Sequence, residues 1–177
     1  MKRTDIKQTI LEYFFVSPSA KLRVREIERV LKLPLPSVIR YCGELEEEKL
    51  LTTIVTGNVK VYTSNRMSEE YLLEKKLFNI KSIYASGLMD YIRRELSNPS
   101  IILFGSFAKG EDIEESDIDL YLETPSKKEL KFEKFEKLLK RKIQTFRHKS
   151  LGSLSNVNLA NNIVNGVLLN GFVEVFK

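Results

Sequence analysis

Few folds accommodate the stretch from Ile101 to Glu123. Ser100 to Phe104 is a short run of β-branched and aromatic residues that suits a buried strand. Gly105-Ser106 interrupts it, and the run Ser116 to Glu123 then alternates, with Ile118, Leu120 and Leu122 on one face and Asp117, Asp119, Tyr121 and Glu123 on the other. Such alternation predicts a half-buried strand. Strand, loop, helix start and strand therefore follow one another within a short length of chain. Gly105 lacks a Cβ, so the backbone can approach an anion closely there, and the amides that open the next helix would point at phosphate oxygens. Ser106 adds a hydroxyl, Lys109 a mobile cation one turn on, and Gly110 frees the following turn. Ser116 stands just before the aspartates.

Asp117 and Asp119 are two apart on the predicted strand, which brings both carboxylates to one face with about 7 Å between Cα atoms. Hard oxygen ligands at that separation suit Mg²⁺ or Mn²⁺, which take one or two protein carboxylates and complete their shell with water and substrate phosphates. Cys42 is the only cysteine, so neither an intramolecular disulfide nor a multi-cysteine zinc site can form. A Gly-Ser turn or an Asp-x-Asp pair alone is weak. In this order, on this succession of elements, the two point to a nucleoside triphosphate bound with divalent metal.

The chain ahead of this stretch has its own pattern. Ile6, Ile10, Leu11 and Phe14 recur at helical spacing from Thr4, which with Lys7 offers half a capping box. After Ser17-Pro18-Ser19, a second helix carries Val24, Ile27, Val30 and Leu31 as its inner stripe. Leu33-Pro34-Leu35-Pro36 makes a stiff turn into a third helix with Val38, Cys42 and Leu45 inward. Leu51 to Thr56 and Val59 to Thr63 flank Gly57-Asn58, a hairpin signal. Three helices and a hairpin are the winged-helix order. Residues 68–97 read as helical, with a bend allowed at Gly87 and an apolar stripe that would pack within the chain or across a homodimer. Beyond the aspartates, Ser126 and Glu129 suggest a capping box for a helix from Lys127 to about Lys140, with Leu130, Phe135, Leu138 and Leu139 inward. Lys142 to Arg147 reads as a third strand, Asn158 to Asn165 as a last helix, and Val167 to Leu169 with Phe172 to Phe176 as extended pieces. The expected organisation is α+β: a winged helix-turn-helix over 1–66, a helical linker over 67–99, and a small mixed-sheet domain over 100–177.

Gly105-Ser106 followed by Asp117-x-Asp119 resembles the minimal nucleotidyltransferases of the DNA polymerase beta superfamily, and the N-terminal winged helix resembles a two-domain archaeal group of them. The resemblance implies that Gly105 and Ser106 hold a triphosphate and that Asp117 and Asp119 hold the metals. It implies transfer of a nucleoside monophosphate, AMP from ATP being the leading expectation, onto a hydroxyl of a protein, nucleic acid or small molecule. Members carry a third carboxylate on the next strand. Here that strand reads Lys142-Ile143-Gln144-Thr145-Phe146, and Gln144 stands where the acid is expected. Glutamine is neutral and cannot accept a proton, and Glu123 lies too far along its strand to replace the acid. The rival expectation is a DNA-binding regulator, or the neutralising member of a toxin pair, whose transferase domain binds nucleotide without turnover.

The formal net charge is +5, and residues 1–66 hold 12 Lys and Arg against 8 Asp and Glu, so nearly all of the excess lies there. A winged helix lays its third helix in the major groove and its wing on the backbone, which makes Ser37, Arg40, Tyr41 and Lys60 the contact candidates for duplex DNA. Arg23, Arg25, Arg29 and Lys32 could add phosphate contacts, while Glu44, Glu46, Glu47 and Glu48 oppose them. The lysines of 127–142 could meet the acceptor or form an ordinary solvated face, and His148, the only histidine, is given no role. No run approaches the roughly 20 apolar residues of a membrane helix. The polar start MKRTDIKQ lacks the apolar core of a secretory signal, so a cytoplasmic location is expected.

Overall fold

A computed structural model of the chain describes residues 5–174. It is a mixed α and β structure that divides into two compact units, with the boundary between Phe78 and Asn79. The expected start at Thr4 and the end of the last extended piece, at Phe176, lie outside the described residues.

In the N-terminal unit, α1 (Ile6–Val16) is capped by Asp5, whose carboxylate accepts from Gln8 N at 3.1 Å. Ile10, Leu11, Phe14 and Phe15 form its buried face. In α2 (Val24–Leu31) the expected stripe is narrower than predicted: Ile27 is buried, and Val30 is 53% exposed. Two turns offer the core one line of side chains, and that line runs through Val24, Ile27 and Leu31. α3 (Leu35–Glu47) follows Pro34 and turns Val38, Cys42 and Leu45 fully inward, as their spacing predicts. β1 (Leu51–Thr56) and β2 (Val59–Ser64) pair antiparallel about Gly57, which takes φ 60°. Tyr62 in β2 also exchanges both backbone hydrogen bonds with Leu22, in the connection between α1 and α2. A single-residue pairing leaves no periodic trace, so the sequence does not show it.

Residues 67–99, expected as a helical linker, supply core side chains to both units. α4 (Glu69–Ala85) brings Tyr71 to the N-terminal core, where the fully buried Lys75 donates to Phe15 O at 2.8 Å and covers the carbonyl end of α1. Ile83, from the later turns of α4, and Leu88, Met89 and Ile92 of α5 (Leu88–Glu95) enter the C-terminal core. Each such side chain taken fully out of water contributes about 1.5–3 kcal/mol, which a mere spacer would forgo. Gly87, at φ 77°, separates α4 from α5 completely instead of bending one helix. Leu77 and Tyr84, which share the helical apolar spacing of residues 68–97, stay exposed.

The C-terminal unit is built on four strands, β3 (Ser100–Phe104), β4 (Ile118–Glu123), β5 (Ile143–His148) and β6 (Val167–Asn170), in the order β5-β4-β3-β6. β4 runs antiparallel to β3 and parallel to β5, so the sheet is mixed. Ile101, Leu103, Ile118, Leu120 and Leu122 face α4 and α5. The other face is not a polar one. Ile102, Phe104 and Tyr121 are covered there by Leu151, on a 3-10 turn (Leu151–Ser153), and by Ile163, on α8 (Val157–Val164). Tyr121, predicted on the polar face of its strand, is therefore fully buried.

Between β4 and β5 the helix is shorter than predicted: α7 covers only Glu133–Leu139, and Leu138 is exposed. No capping box forms at Ser126. Lys131 N donates to the Tyr91 hydroxyl at 2.8 Å, and Lys128 O accepts from Arg147 at 2.6 Å. These side-chain contacts take the backbone groups that a first helical turn would use. No helix among the described residues is long and apolar enough to cross a membrane.

Candidate functional site

β3 delivers Phe104 opposite Asp119 of β4, and the chain then turns at Gly105 into α6 (Gly105–Lys109). Gly105 has φ 73°, and a Cβ built on it would lie 2.3 Å from Asp119 Oδ2. Both facts favour glycine, since the positive φ strains other residues and an added Cβ would push the carboxylate aside. They also place the Asp119 carboxylate directly against the backbone at the strand-to-helix junction, so the phosphate-loop and metal-ligand candidates meet in space. Ser106 sits in the first turn of α6, and Lys109, in its last, is exposed. Gly110 closes the helix at φ 78°, with its amide donating to Ser106 O. Among the described residues, no ion pair or side-chain hydrogen bond reaches Ser106, Lys109, Asp117, Asp119 or Gln144.

Asp117 lies one residue ahead of β4 and is exposed. A turn steadies it from behind: Ser116 N donates to Ile113 O at 3.1 Å, and Ser116 Oγ accepts from Ile113 N at 3.0 Å. Ser116 thus holds the loop, while its own hydroxyl proton stays available. Asp119 is partly buried, and burial, with Asp117's charge second, holds its carboxyl above the ordinary carboxylate range. Two acids this close repel when both are ionised, and a divalent cation between them removes that repulsion. Among the described residues no group of three or more His, Cys, Asp or Glu side chains could hold a metal. The donor set is a pair of hard carboxylates, which fits Mg²⁺ when substrate phosphates complete the shell.

Gln144 is exposed and lies beside Asp119 in the parallel register of β4 and β5, on the same face of the sheet. Behind that row stand Ile102, Tyr121 and Phe146, and the rings of Phe104 and Phe146 are 5.3 Å apart. Sequence reasoning assigns these aromatic residues to strands and does not see that they floor the site. The pattern of alternate positions on β3, β4 and β5 could have found them, since residues two apart share a face. On the β5 side, Asp117 also borders a cleft of about 440 Å³, lined by Ser116, Glu133, Lys137, Arg141 and Lys142 among others. Helix α6 follows β3 and the cleft adjoins β5, so the two flank the aspartates from opposite sides of β4.

Residues 86–151 match the family model of the nucleotidyltransferase domain. That stretch supports the nucleotidyltransferase superfamily. It contains Gly105, Ser106, Lys109, Ser116, Asp117, Asp119 and Gln144, and general nucleotidyl transfer is the chemistry that it supports. No curated protein and no solved structure matches the chain.

The DNA-contact candidates lie elsewhere, on the N-terminal unit. Ser37, Arg40 and Tyr41 are on α3 and Lys60 is on β2. Arg40 stacks on the Tyr41 ring at 4.2 Å and pairs with Glu44 at 3.3 Å. Lys60 pairs with Glu46 at 3.0 Å and lies 5.0 Å from the Tyr62 ring centre. Exposed pairs of this kind are worth about 0–1 kcal/mol, so they lower the positive field of the surface without locking it.

Proposed function

We propose that the C-terminal unit transfers a nucleoside monophosphate, AMP from ATP in the leading case, to a hydroxyl of an acceptor, with Mg²⁺ or Mn²⁺ as cofactor. The observation that carries this reading is the contact between Gly105 and Asp119, which joins a phosphate-gripping backbone to a metal-binding carboxylate. The amides that open α6 and the Ser106 hydroxyl hold the triphosphate, and Lys109 offsets its charge. Asp117 and Asp119 hold the metal, which when bound supplies positive charge to the attacking and leaving oxygens. In-line displacement requires the acceptor to stand opposite the leaving pyrophosphate, and the cleft bordered by Asp117 is our candidate for its place. Incubation with labelled ATP, CTP, GTP and UTP, Mg²⁺ and cell extract tests the reading. Label on a discrete acceptor supports it, and no transfer from any nucleotide counts against it.

One observation favours a second reading. Gln144 fills the place beside Asp119 with a neutral amide, so the row offers no third negative charge. Under this reading the unit binds a nucleotide with one firmly held metal and does not turn over. The N-terminal unit, using Ser37, Arg40, Tyr41 and Lys60, then acts as a DNA-binding regulator or as the partner of a toxin. Nucleotide affinity that depends on Mg²⁺, with no transfer to any acceptor, is the result it requires.

A further inference from the structure

Beneath the candidate site lies a buried polar cluster that the proposed mechanism does not use. Asp112, in the loop between α6 and β4, is 0% exposed, and Asn79 of α4 is 2% exposed. Asn79 Nδ2 donates to Asp112 Oδ1 at 2.7 Å and to Phe107 O of α6 at 2.9 Å. The guanidinium of Arg141, whose side chain is 4% exposed, donates from Nη2 to Asp112 Oδ2 at 3.4 Å. Arg141 stands at the entry to β5, shortly before Gln144, and itself borders the cleft beside Asp117. One carboxylate is therefore tied to all three segments that carry the site: the phosphate-loop helix through Asn79 and Phe107, the aspartate loop that contains it, and the start of β5 through Arg141.

Stability alone does not account for such a choice. Taking two charges out of water costs several kcal/mol per ion, and apolar residues of similar volume often serve a fold as well or better. What an ion pair with bridging amide contacts adds is a fixed distance between the segments it joins. We propose that Asp112 is a positioning residue that, through Asn79 and Arg141, sets the spacing of α6, the Asp117–Asp119 pair and β5. This rests on the nucleotidyltransferase reading of the site. A displacement of 1 Å at a reacting centre can cost about 100-fold in rate, so one buried acid controlling three segments is a sensitive point.

The test uses the full chain and Mn²⁺, whose electron paramagnetic resonance signal reports binding without turnover, in the presence of a non-hydrolysable ATP analogue. The double variant Asp112→Leu/Arg141→Met removes both charges together and should keep a thermal midpoint near that of the wild type. Its Mn²⁺ affinity with the analogue should fall by about 10-fold or more, the scale seen when partners behind a metal ligand are lost. Asp112→Asn/Arg141→Gln, which keeps hydrogen-bonding groups in place, should recover most of that loss. Wild-type Mn²⁺ affinity in the apolar variant would reduce the cluster to a packing element and overturn the proposal. If that variant does not fold, Asn79→Ala, which severs only the tie between α6 and Asp112, carries the same comparison: a lowered affinity supports positioning, and an unchanged one overturns it. A wild-type chain that binds no Mn²⁺ with the analogue sinks the nucleotidyltransferase reading itself and takes this proposal with it.

Discussion

The outer face of α3 and the exposed end of β4 treat charge in opposite ways. Around α3, basic side chains of α3, the hairpin and α1 meet acids of α3 and its C-terminal cap: Arg40 with Glu44, Lys60 with Glu46, and Lys7 with both Glu44 and Glu48. At β4, Asp117 and Asp119 sit together with no ion pair to either among the described residues, although Lys137, Arg141 and Lys142 line the cleft that Asp117 borders, and Asp119 is partly buried as well. The first surface is nearly satisfied by itself. The second would gain from a bound cation, as the proposed metal site requires. The net positive charge of residues 1–66 is thus a poorer guide to function than two acids left without partners.

Asp119→Asn should break this comparison most sharply. If Asp119 holds the metal as proposed, Mg²⁺-dependent ATP affinity should fall to background in calorimetry, while the N-terminal unit keeps any affinity for duplex DNA. The fold should gain stability from the same change. Because burial raises the Asp119 carboxyl in the folded state, the folded chain binds more protons than the unfolded one, and its stability falls as pH rises through that carboxyl's range. The neutral amide escapes this loss, so the thermal midpoint at neutral pH should rise. A lower midpoint, or unchanged Mg²⁺-dependent affinity, would contradict the assignment.

Gln144→Asp should act in the other direction by adding a third carboxylate beside Asp119. If general-base help is what the wild type lacks, transfer should rise by as much as roughly 100-fold. An unchanged rate in an active wild type means that the acid comes from elsewhere. Gly105→Ala should lower nucleotide affinity by about 10-fold or more, since the added Cβ must displace the Asp119 carboxylate and the position requires positive φ, a strain of about 1–3 kcal/mol. Wild-type affinity in that variant would show that the contact does not position the carboxylate.

The smallest effect concerns the self-paired surface. If α3 contacts DNA, Glu44→Gln/Glu46→Gln should free Arg40 and Lys60 and tighten binding to duplex DNA at low salt. The logarithmic salt slope should steepen by about 0.9 for each cation that gains a phosphate. Mobility shifts across a salt series would measure this. No change in either quantity would move the N-terminal unit toward a protein-contact role.

Much of the C-terminal site is legible because its pieces are local. Gly105-Ser106 is a turn signal, and Asp119 sits on a strand whose alternation is visible in Ile118, Leu120 and Leu122, with Asp117 one residue ahead of that strand. The third strand is visible as well, and so is the placing of Gln144 on it. Tyr121 marks where this reading stops. Its alternation assigns it to solvent, but the distant segment Leu151–Val164 folds over that face and buries it.

From local periodicity and turn chemistry alone, the sequence determined the inward faces of α1 and α3, the hairpin about Gly57, the strands that flank the aspartates and the glycine at their junction. These choices depend on neighbours a few residues away. Only the tertiary structure decided where α7 begins, because Tyr91 and Arg147, far along the chain, take the backbone groups at Lys131 and Lys128. It alone decided that Val30 faces water, that Asp119 touches the backbone of Gly105, and that Asp112 meets Asn79 and Arg141 in the interior. Each of these depends on which segments meet across a loop, and a composition or a spacing does not encode that meeting until the core has formed around it.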